Sequence, residues 1–283
     1  MAKVEERPGP AISAVILARN EEANIGFCLD TLSWCQEIVV VDMESSDRTA
    51  EIAAVRGAKV LKHPLVQAFD TAKKFAVEKA SGDWIFLIDA DEMAPKKLAE
   101  ALTAAAKLGR ADVVRVPFVH YLLGAAVRRS GWGYTPQPRF FRKGKVLFGG
   151  RIHGYFREAD GAVVESLPHL DENSIQHFNY RDASHFVEKM NRYTSVEAAH
   201  LREAGIVFSY FRLLRAASGE FFYRYFSCGG YRDGARGFSL CLMMAFYRAL
   251  SHIKLWELSA MPEGAARGLY AAERAAVLKG WGK

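Results

Sequence analysis

The sequence predicts an α/β protein: a mostly parallel sheet flanked by helices, followed by an amphipathic helical extension. Three observations predict it. The first half alternates short β-branched runs with longer amphipathic stretches, the order of βαβ units that close a parallel sheet. The fourth of these runs is wholly apolar and ends in Asp89-Ala90-Asp91-Glu92. Beyond residue 206, aromatic and cationic side chains interleave at helical spacing, interrupted by glycines.

Residues 1–10 are charged and lack an apolar run, so they are read as a tail and not as a secretory signal. Residues 12–17 are the first expected strand, followed by a helix over 21–34. Residues 38–41 form the second strand. The next helix, 47–56, has Ser46-Asp47 to cap its start. A third strand at 59–62, a helix over 71–80 and the apolar strand 84–88 complete the series. Pro95 suits the first turn of a helix reaching 108, and 113–116 resumes strand character. Residues 117–179 carry short strands, aromatics, glycines and prolines, expected as an irregular β-rich segment that closes over the sheet. Residues 182–204 return to helical periodicity, and 206–258 read as two or three helices broken at Gly229-Gly230 and around Asp233-Gly234. The expected division is a catalytic domain over 11–180 and a helical extension over 181–283.

Charge is unevenly shared. Residues 1–100 carry 12 Lys/Arg against 17 Asp/Glu, and the remainder 26 against 15, which points to an anionic partner for the second half. Cys28, Cys35, Cys228 and Cys241 form no C-x-x-C pair and no cluster with His, so they are read as free thiols of a reducing cytosol. The uncharged apolar stretch between Arg236 and Arg248 is too short to span a bilayer.

In an open α/β sheet, ligands bind beyond the carboxyl ends of the strands. Asn20-Glu21-Glu22 follows strand one, Asp42 follows strand two, and Asp89 and Asp91 follow strand four, so all converge on one edge. Clustered carboxylates there suit Mg²⁺ or Mn²⁺, with substrate phosphates and water filling the remaining positions. Asn and Asp can also read a base edge and ribose hydroxyls. Taken one at a time, these residues are equally a solvated acidic turn or helix caps. Only their shared edge favours a site.

The ordered set Asn20-Glu21-Glu22, Val41-Asp42, Ser45-Ser46-Asp47-Arg48-Thr49, Gly82-Asp83-Trp84 and Asp89-Ala90-Asp91-Glu92 resembles glycosyltransferase family 2, with the GT-A (Rossmann-like) fold. Arg139-Phe140-Phe141-Arg142, Gly150-Arg151-Ile152-His153 and Tyr231-Arg232-Asp233-Gly234 are similar to its lipopolysaccharide-core β-glucosyltransferase branch. The resemblance spans roughly 11–255. It implies an inverting transfer from a UDP-linked or similar nucleotide sugar to an acceptor hydroxyl. Asn20, Glu22, Asp42, Lys73 and Asp89 would serve the nucleotide, Asp91 the metal, and Arg139 the phosphate or acceptor.

The chain departs from that branch at three places: Glu44 replaces a usual Gly, Ala72-Lys73-Lys74 a usual Gln-Lys-Asn, and His153-Gly154 a usual His-Glu. The last leaves three candidates for the base that takes the acceptor proton, His153, Glu158 and Asp160. His153 titrates near neutrality, while Glu158 and Asp160 beside Gly161 are equally residues of a turn.

The aromatic and basic extension is read partly as core and partly as a platform for an anionic membrane surface, with no nucleic acid as partner. The expected location is the cytoplasm, peripheral on the inner face of the cytoplasmic membrane, with a glycolipid or polysaccharide acceptor. A nucleotidyltransferase would need a glycine-rich basic loop after strand one, where this chain has Asn20-Glu21-Glu22 of opposite sign. A non-catalytic nucleotide- or lipid-binding relative would bind nucleotide without turnover.

Overall fold

The computed structural model describes residues 9–66, 69–133, 136–148, 157–261 and 265–281. From the N-terminus, β1 (Ile12–Ala18) leads to α1 (Ile25–Asp30), β2 (Glu37–Asp42), α2 (Thr49–Val55), β3 (Lys59–Lys62), α3 (Phe69–Lys79) and β4 (Trp84–Asp89). β1 pairs in parallel with both β2 and β4, and β2 in parallel with β3. Next come β5 (Glu92–Met93), α4 (Lys96–Leu108), β6 (Val113–Val116), β7 (Phe118–Leu122), β8 (Ala125–Val127) and β9 (Gln137–Arg142). The last strands are β10 (Val146–Leu147), β11 (Arg157–Glu158), β12 (Val164–Ser166) and β13 (Ile175–Tyr180).

The main sheet runs β12-β6-β9-β4-β1-β2-β3, with β9 antiparallel to both neighbours. A second sheet runs β5-β13-β7-β8, and β10 pairs with β11. The expectation for 117–179 is therefore corrected in part, because β9 and β12 belong to the main sheet. Phe140 and Phe141, adjacent on β9, are both fully buried. That is possible only where both faces of a sheet are covered. Ile12, Ile16, Trp84, Phe86 and Phe140 pack with Leu98 and Leu102 of α4 on one face. Val15, Val39, Val41, Ile85 and Leu87 pack with Ala72 and Ala76 of α3 on the other.

The first helix is six residues long instead of spanning 21–34. The chain before it is tied to the loop after β2: the N–H groups of Asn20, Glu21 and Glu22 donate to Ser45 Oγ, Thr49 Oγ1 and Asp47 Oδ2 at 3.0, 2.7 and 3.1 Å. These bonds, with Asn20 at φ +56°, hold it out of helical geometry. Beyond α1, Thr31 Oγ1 accepts from Ala94 N–H at 3.1 Å, fixing the exit to β5 and α4.

Contacts divide the chain into two compact units: one from Met1–Arg128 with Trp132–Arg181, the other from Arg129–Gly131 with Asp182–Lys283. The second is helical, with α5 (Ala183–Glu203), α6 (Tyr210–Phe222), α7 (Gly234–Ala260) and α8 (Ala265–Gly280). Asp182 caps α5 by accepting from His185 N–H at 2.8 Å, and Ser209 caps α6 by accepting from Arg212 N–H at 3.1 Å. Both helices pack on α7. Between α6 and α7 the chain passes through a π turn and a 3₁₀ turn, where the glycine pattern places a break. No helix among the described residues is long and apolar enough to cross a membrane.

Gly237 lets α7 start directly against the 3₁₀ turn: a Cβ there would lie 2.0 Å from the Gly230 carbonyl oxygen. The Gly230 backbone on one side and the Asp233 Cβ, rooted on its own backbone, on the other leave no flexible side-chain end to yield. Gly237→Ala is therefore expected to cost about 3 kcal/mol, the upper range for overpacking, read as a lower thermal midpoint. Gly219→Ala, where a Cβ meets nothing, should not lower it.

Candidate active site

The acidic residues read from the sequence meet at the carboxyl edge of β1, β2 and β4. The register Ala18↔Asp42 and Leu17↔Asp89 sets Asp42 and Asp89 at the ends of strands on either side of β1. Asp42 is 5% exposed. Its Oδ2 accepts from Ser45 N–H at 3.4 Å, and its buried Oδ1 has no hydrogen-bond partner among the described residues. Asn20 Oδ1 accepts from Ser46 N–H at 2.8 Å, and Glu22 Oε2 from Arg48 N–H at 3.1 Å. The two loops are thus stitched together by the residues read as nucleoside contacts. Glu44, in the position usually held by Gly, takes φ +59°, a left-handed conformation that costs a non-glycine residue about 1 kcal/mol.

Below Asp89 lies a buried ion cluster. β9 runs antiparallel to β4 with Phe140 opposite Phe86, which carries Arg139 toward the strand's carboxyl end. Arg139 Nη2 donates to Asp89 Oδ2 at 2.9 Å and to Glu92 Oε1 at 3.0 Å. Glu92 Oε2 accepts the N–H of Asp89 at 2.8 Å. Arg139 is 5% exposed and Glu92 fully buried, while Asp89 retains 34% of its side-chain surface. Burial works against the charge on Asp89, but Arg139 first and then Lys73 of α3 outweigh it and hold its carboxyl well below the usual range. Burial together with the Asp89 and Asp91 charges, against Arg139, pushes Glu92 up to about 7. Arg139, expected from sequence to meet phosphate or acceptor, instead gives its charge to these two carboxylates. Its Nε and Nη1 are buried without hydrogen-bond partners among the described residues, and its guanidinium carbon sits 5.3 Å from the Phe118 ring centroid.

Asp91 is held by the second sheet. β5 pairs with β13 so that His177 faces Glu92 across the strands, and Phe178 N–H donates to the Asp91 carbonyl at 2.9 Å. His177 Nε2 lies 3.5 Å from Asp91 Oδ2. Burial disfavours the imidazolium, yet Asp91 and Glu92 overcome this and raise its proton affinity. Behind it, His120 stacks on Phe118 and lies 5.1 Å from the His177 ring and 6.0 Å from that of Trp132. Sequence reasoning missed these rings. The strand character of 175–180 places His177 on the same face as Ile175, but nothing local announces that face as inward or β5 as its partner strand.

His120 is depressed to about 3, mainly by burial and then by His177 and Arg139. The unfolded chain therefore protonates it first, so stability falls as pH drops from about 6.5 toward 3. His120→Phe should flatten urea-unfolding stability across that window, by roughly 3 kcal/mol at about pH 4.5. An unchanged slope would remove His120 from the acid response.

Among the base candidates, Glu158 of β11 accepts from Arg115 Nε at 2.7 Å, which lowers its proton affinity. Asp160 pairs with Arg157 at 2.8 Å on the surface. His153 and the rest of Gly150-Arg151-Ile152-His153 fall outside the described residues. Among the described residues no group of three or more His, Cys, Asp or Glu converges as a metal cage.

The sequence pattern of Glycosyl transferase family 2 matches residues 13–162. The chain belongs to this family. The family 2 chain is also 30% identical over 270 residues to "Lipopolysaccharide core biosynthesis glycosyltransferase LpsC" of Rhizobium meliloti (strain 1021), covering 90% of this chain and 95% of that protein. An uncharacterized glycosyltransferase of Rickettsia typhi is 28% identical, over 88% and 87% of the two chains. Among solved structures, glucosyl-3-phosphoglycerate synthase from Mycobacterium tuberculosis aligns loosely, at 26% identity over 40% and 44% of the chains with a TM-score of 0.34. The family 2 chain is a glycosyltransferase, and the matched span holds β1 through β11, including every carboxylate of the edge described above.

Proposed function

We propose that this glycosyltransferase transfers a sugar, with inversion, from a UDP-linked donor to a hydroxyl of a cell-envelope glycolipid or polysaccharide. The observation that carries the reading is the convergence of Asp42, Asp89 and Asp91 on one sheet edge, above a buried arginine that keeps Asp89 charged. The buried, unbonded Oδ1 of Asp42 suits an N–H of the base or a ribose hydroxyl, since a buried acceptor without a donor costs about 1–3 kcal/mol. Asn20 and Glu22 shape the loop pair around it.

The donor set fits a hard divalent ion. Asp91, with Asp89 beside it, offers carboxylate oxygens, and Mg²⁺ or Mn²⁺ characteristically takes about one or two carboxylates plus phosphate oxygens and water. Such an ion, when bound, neutralises charge on the departing diphosphate. His177 orients Asp91 for that role, and Lys73 adds positive charge near Asp89. Since Arg115 and Arg157 already engage Glu158 and Asp160, His153 is the proposed base for the acceptor proton. The lipopolysaccharide core named for the Rhizobium relative supports a glycolipid acceptor.

The test is release of nucleoside diphosphate from a panel of nucleotide sugars, with and without added Mn²⁺ or Mg²⁺. Release that needs the ion and is fastest with UDP-linked donors supports the reading. Turnover confined to another base, or indifferent to the ion, would sink the corresponding half of it.

A further inference from the structure

We propose that the outward faces of α6 and α7 form a docking surface for a lipid bilayer bearing anionic headgroups. The inference takes its biological sense from the glycolipid reading, but its physical basis is separate from the donor site. On α6, Tyr210, Phe211 and Leu214 are 79, 74 and 65% exposed, and its last residue, Phe222, stacks on Phe226 of the following turn. On α7, Leu240, Cys241, Ala245 and Leu255 face inward, whereas Phe238, Leu242, Phe246, Ile253 and Trp256 face out, each more than 40% exposed. At about 1.5 Å per residue, that second stripe extends roughly 27 Å. The two stripes adjoin where the Phe238 ring meets those of Phe221 and Tyr225, at centroid distances of 5.7 and 5.9 Å.

So large an apolar face on a folded chain marks an interaction site, and its charges say with what. Between residue 206 and the end of α7 at residue 260 the acids are Glu220, Asp233 and Glu257. Glu220 is held by Arg224 and Arg248, and Asp233 accepts from Ser130 Oγ at 2.9 Å. The exposed charges of the same stretch are Arg212, Arg215 and Arg232 against Glu257, so cations predominate. A second copy of this face would bring like charges together. Leu214, Leu242 and Ile253 offer nothing for a nucleobase to stack on. An anionic leaflet accommodates both features, with acyl chains for the apolar stripe and headgroups for the arginines. Since no described helix is long and apolar enough to cross, the helices would lie in the interfacial plane.

Flotation of the full chain with vesicles of phosphatidylcholine alone, and of phosphatidylcholine with phosphatidylglycerol, tests this. Expected is recovery with the anionic vesicles that declines with added salt. Phe211→Glu combined with Leu214→Glu should lower partitioning at least about tenfold. Arg212→Gln with Arg215→Gln should lower it by roughly fivefold per arginine. Both variants should keep wild-type donor turnover in lipid-free solution, so failure of the donor assay and failure of docking are read separately. Equal recovery from neutral and anionic vesicles would overturn the proposal. So would wild-type flotation of the Phe211→Glu, Leu214→Glu variant, a lipid-free dimer that these substitutions dissolve, or selective retention on RNA.

Discussion

Asp91→Asn is expected to lower metal-dependent release of nucleoside diphosphate by roughly a thousandfold, the scale of the several kcal/mol that metal charge stabilisation supplies to a departing phosphate. Asparagine keeps the shape and one oxygen of Asp91, and its backbone carbonyl still accepts from Phe178 N–H, so the fold should survive. What disappears is the negative charge that would hold the ion and face His177 at 3.5 Å. Thermal unfolding separates the outcomes: a native-like melt with lost turnover, and a metal requirement shifted to higher concentration, supports Asp91 as ligand. Turnover within a factor of about three of wild type, too little to count as a lost ligand, would take the metal away from Asp91.

Arg139→Met should destabilise the protein by about 3–5 kcal/mol, because it strips the counter-charge from a fully buried Glu92 and a partly buried Asp89. For a unit of this size that is a fall of roughly 10 °C in the thermal midpoint. The sequence motif invites a different expectation, a ligand-facing cation whose loss would harm turnover and leave stability alone. The two are told apart by adding Glu92→Gln to the Arg139 variant. Without Arg139 the buried Glu92, already raised to about 7, is charged only at alkaline pH. There glutamine, which still accepts the Asp89 N–H, removes that uncompensated charge, so part of the lost midpoint should return. No recovery in the double variant, together with an unshifted midpoint in the single one, would show that the cluster contributes little to the fold.

Much of the catalytic unit is legible in the chain itself. The strands at 12–17, 38–41 and 84–88 are apolar because both faces of the sheet are covered, the edge strand at 59–62 keeps only its central Val60-Leu61 apolar, and each lies within one residue of its observed bounds. Helix ends are harder: α1 is cut short by bonds to a loop some 25 residues away, and no local propensity encodes those. The strand β9 escapes recognition because its sequence, Gln-Pro-Arg-Phe-Phe-Arg, shows no period-two alternation, and its insertion between β4 and β6 depends on a chain reversal.

The primary sequence alone determined which side chains arrive at the carboxyl edge. In a parallel sheet every strand delivers its last residue to the same side, so Asn20, Asp42, Asp89 and Asp91 could be assembled by counting. The tertiary structure decided what stands behind them. Arg139 comes in on an antiparallel strand and His177 from a second sheet, from positions 50 and 86 residues beyond Asp89 and Asp91. Charge acts through space, over a few ångströms and strongly once water is excluded. The groups that set the protonation and orientation of the edge carboxylates are therefore spatial neighbours, and spacing along the chain holds no record of them.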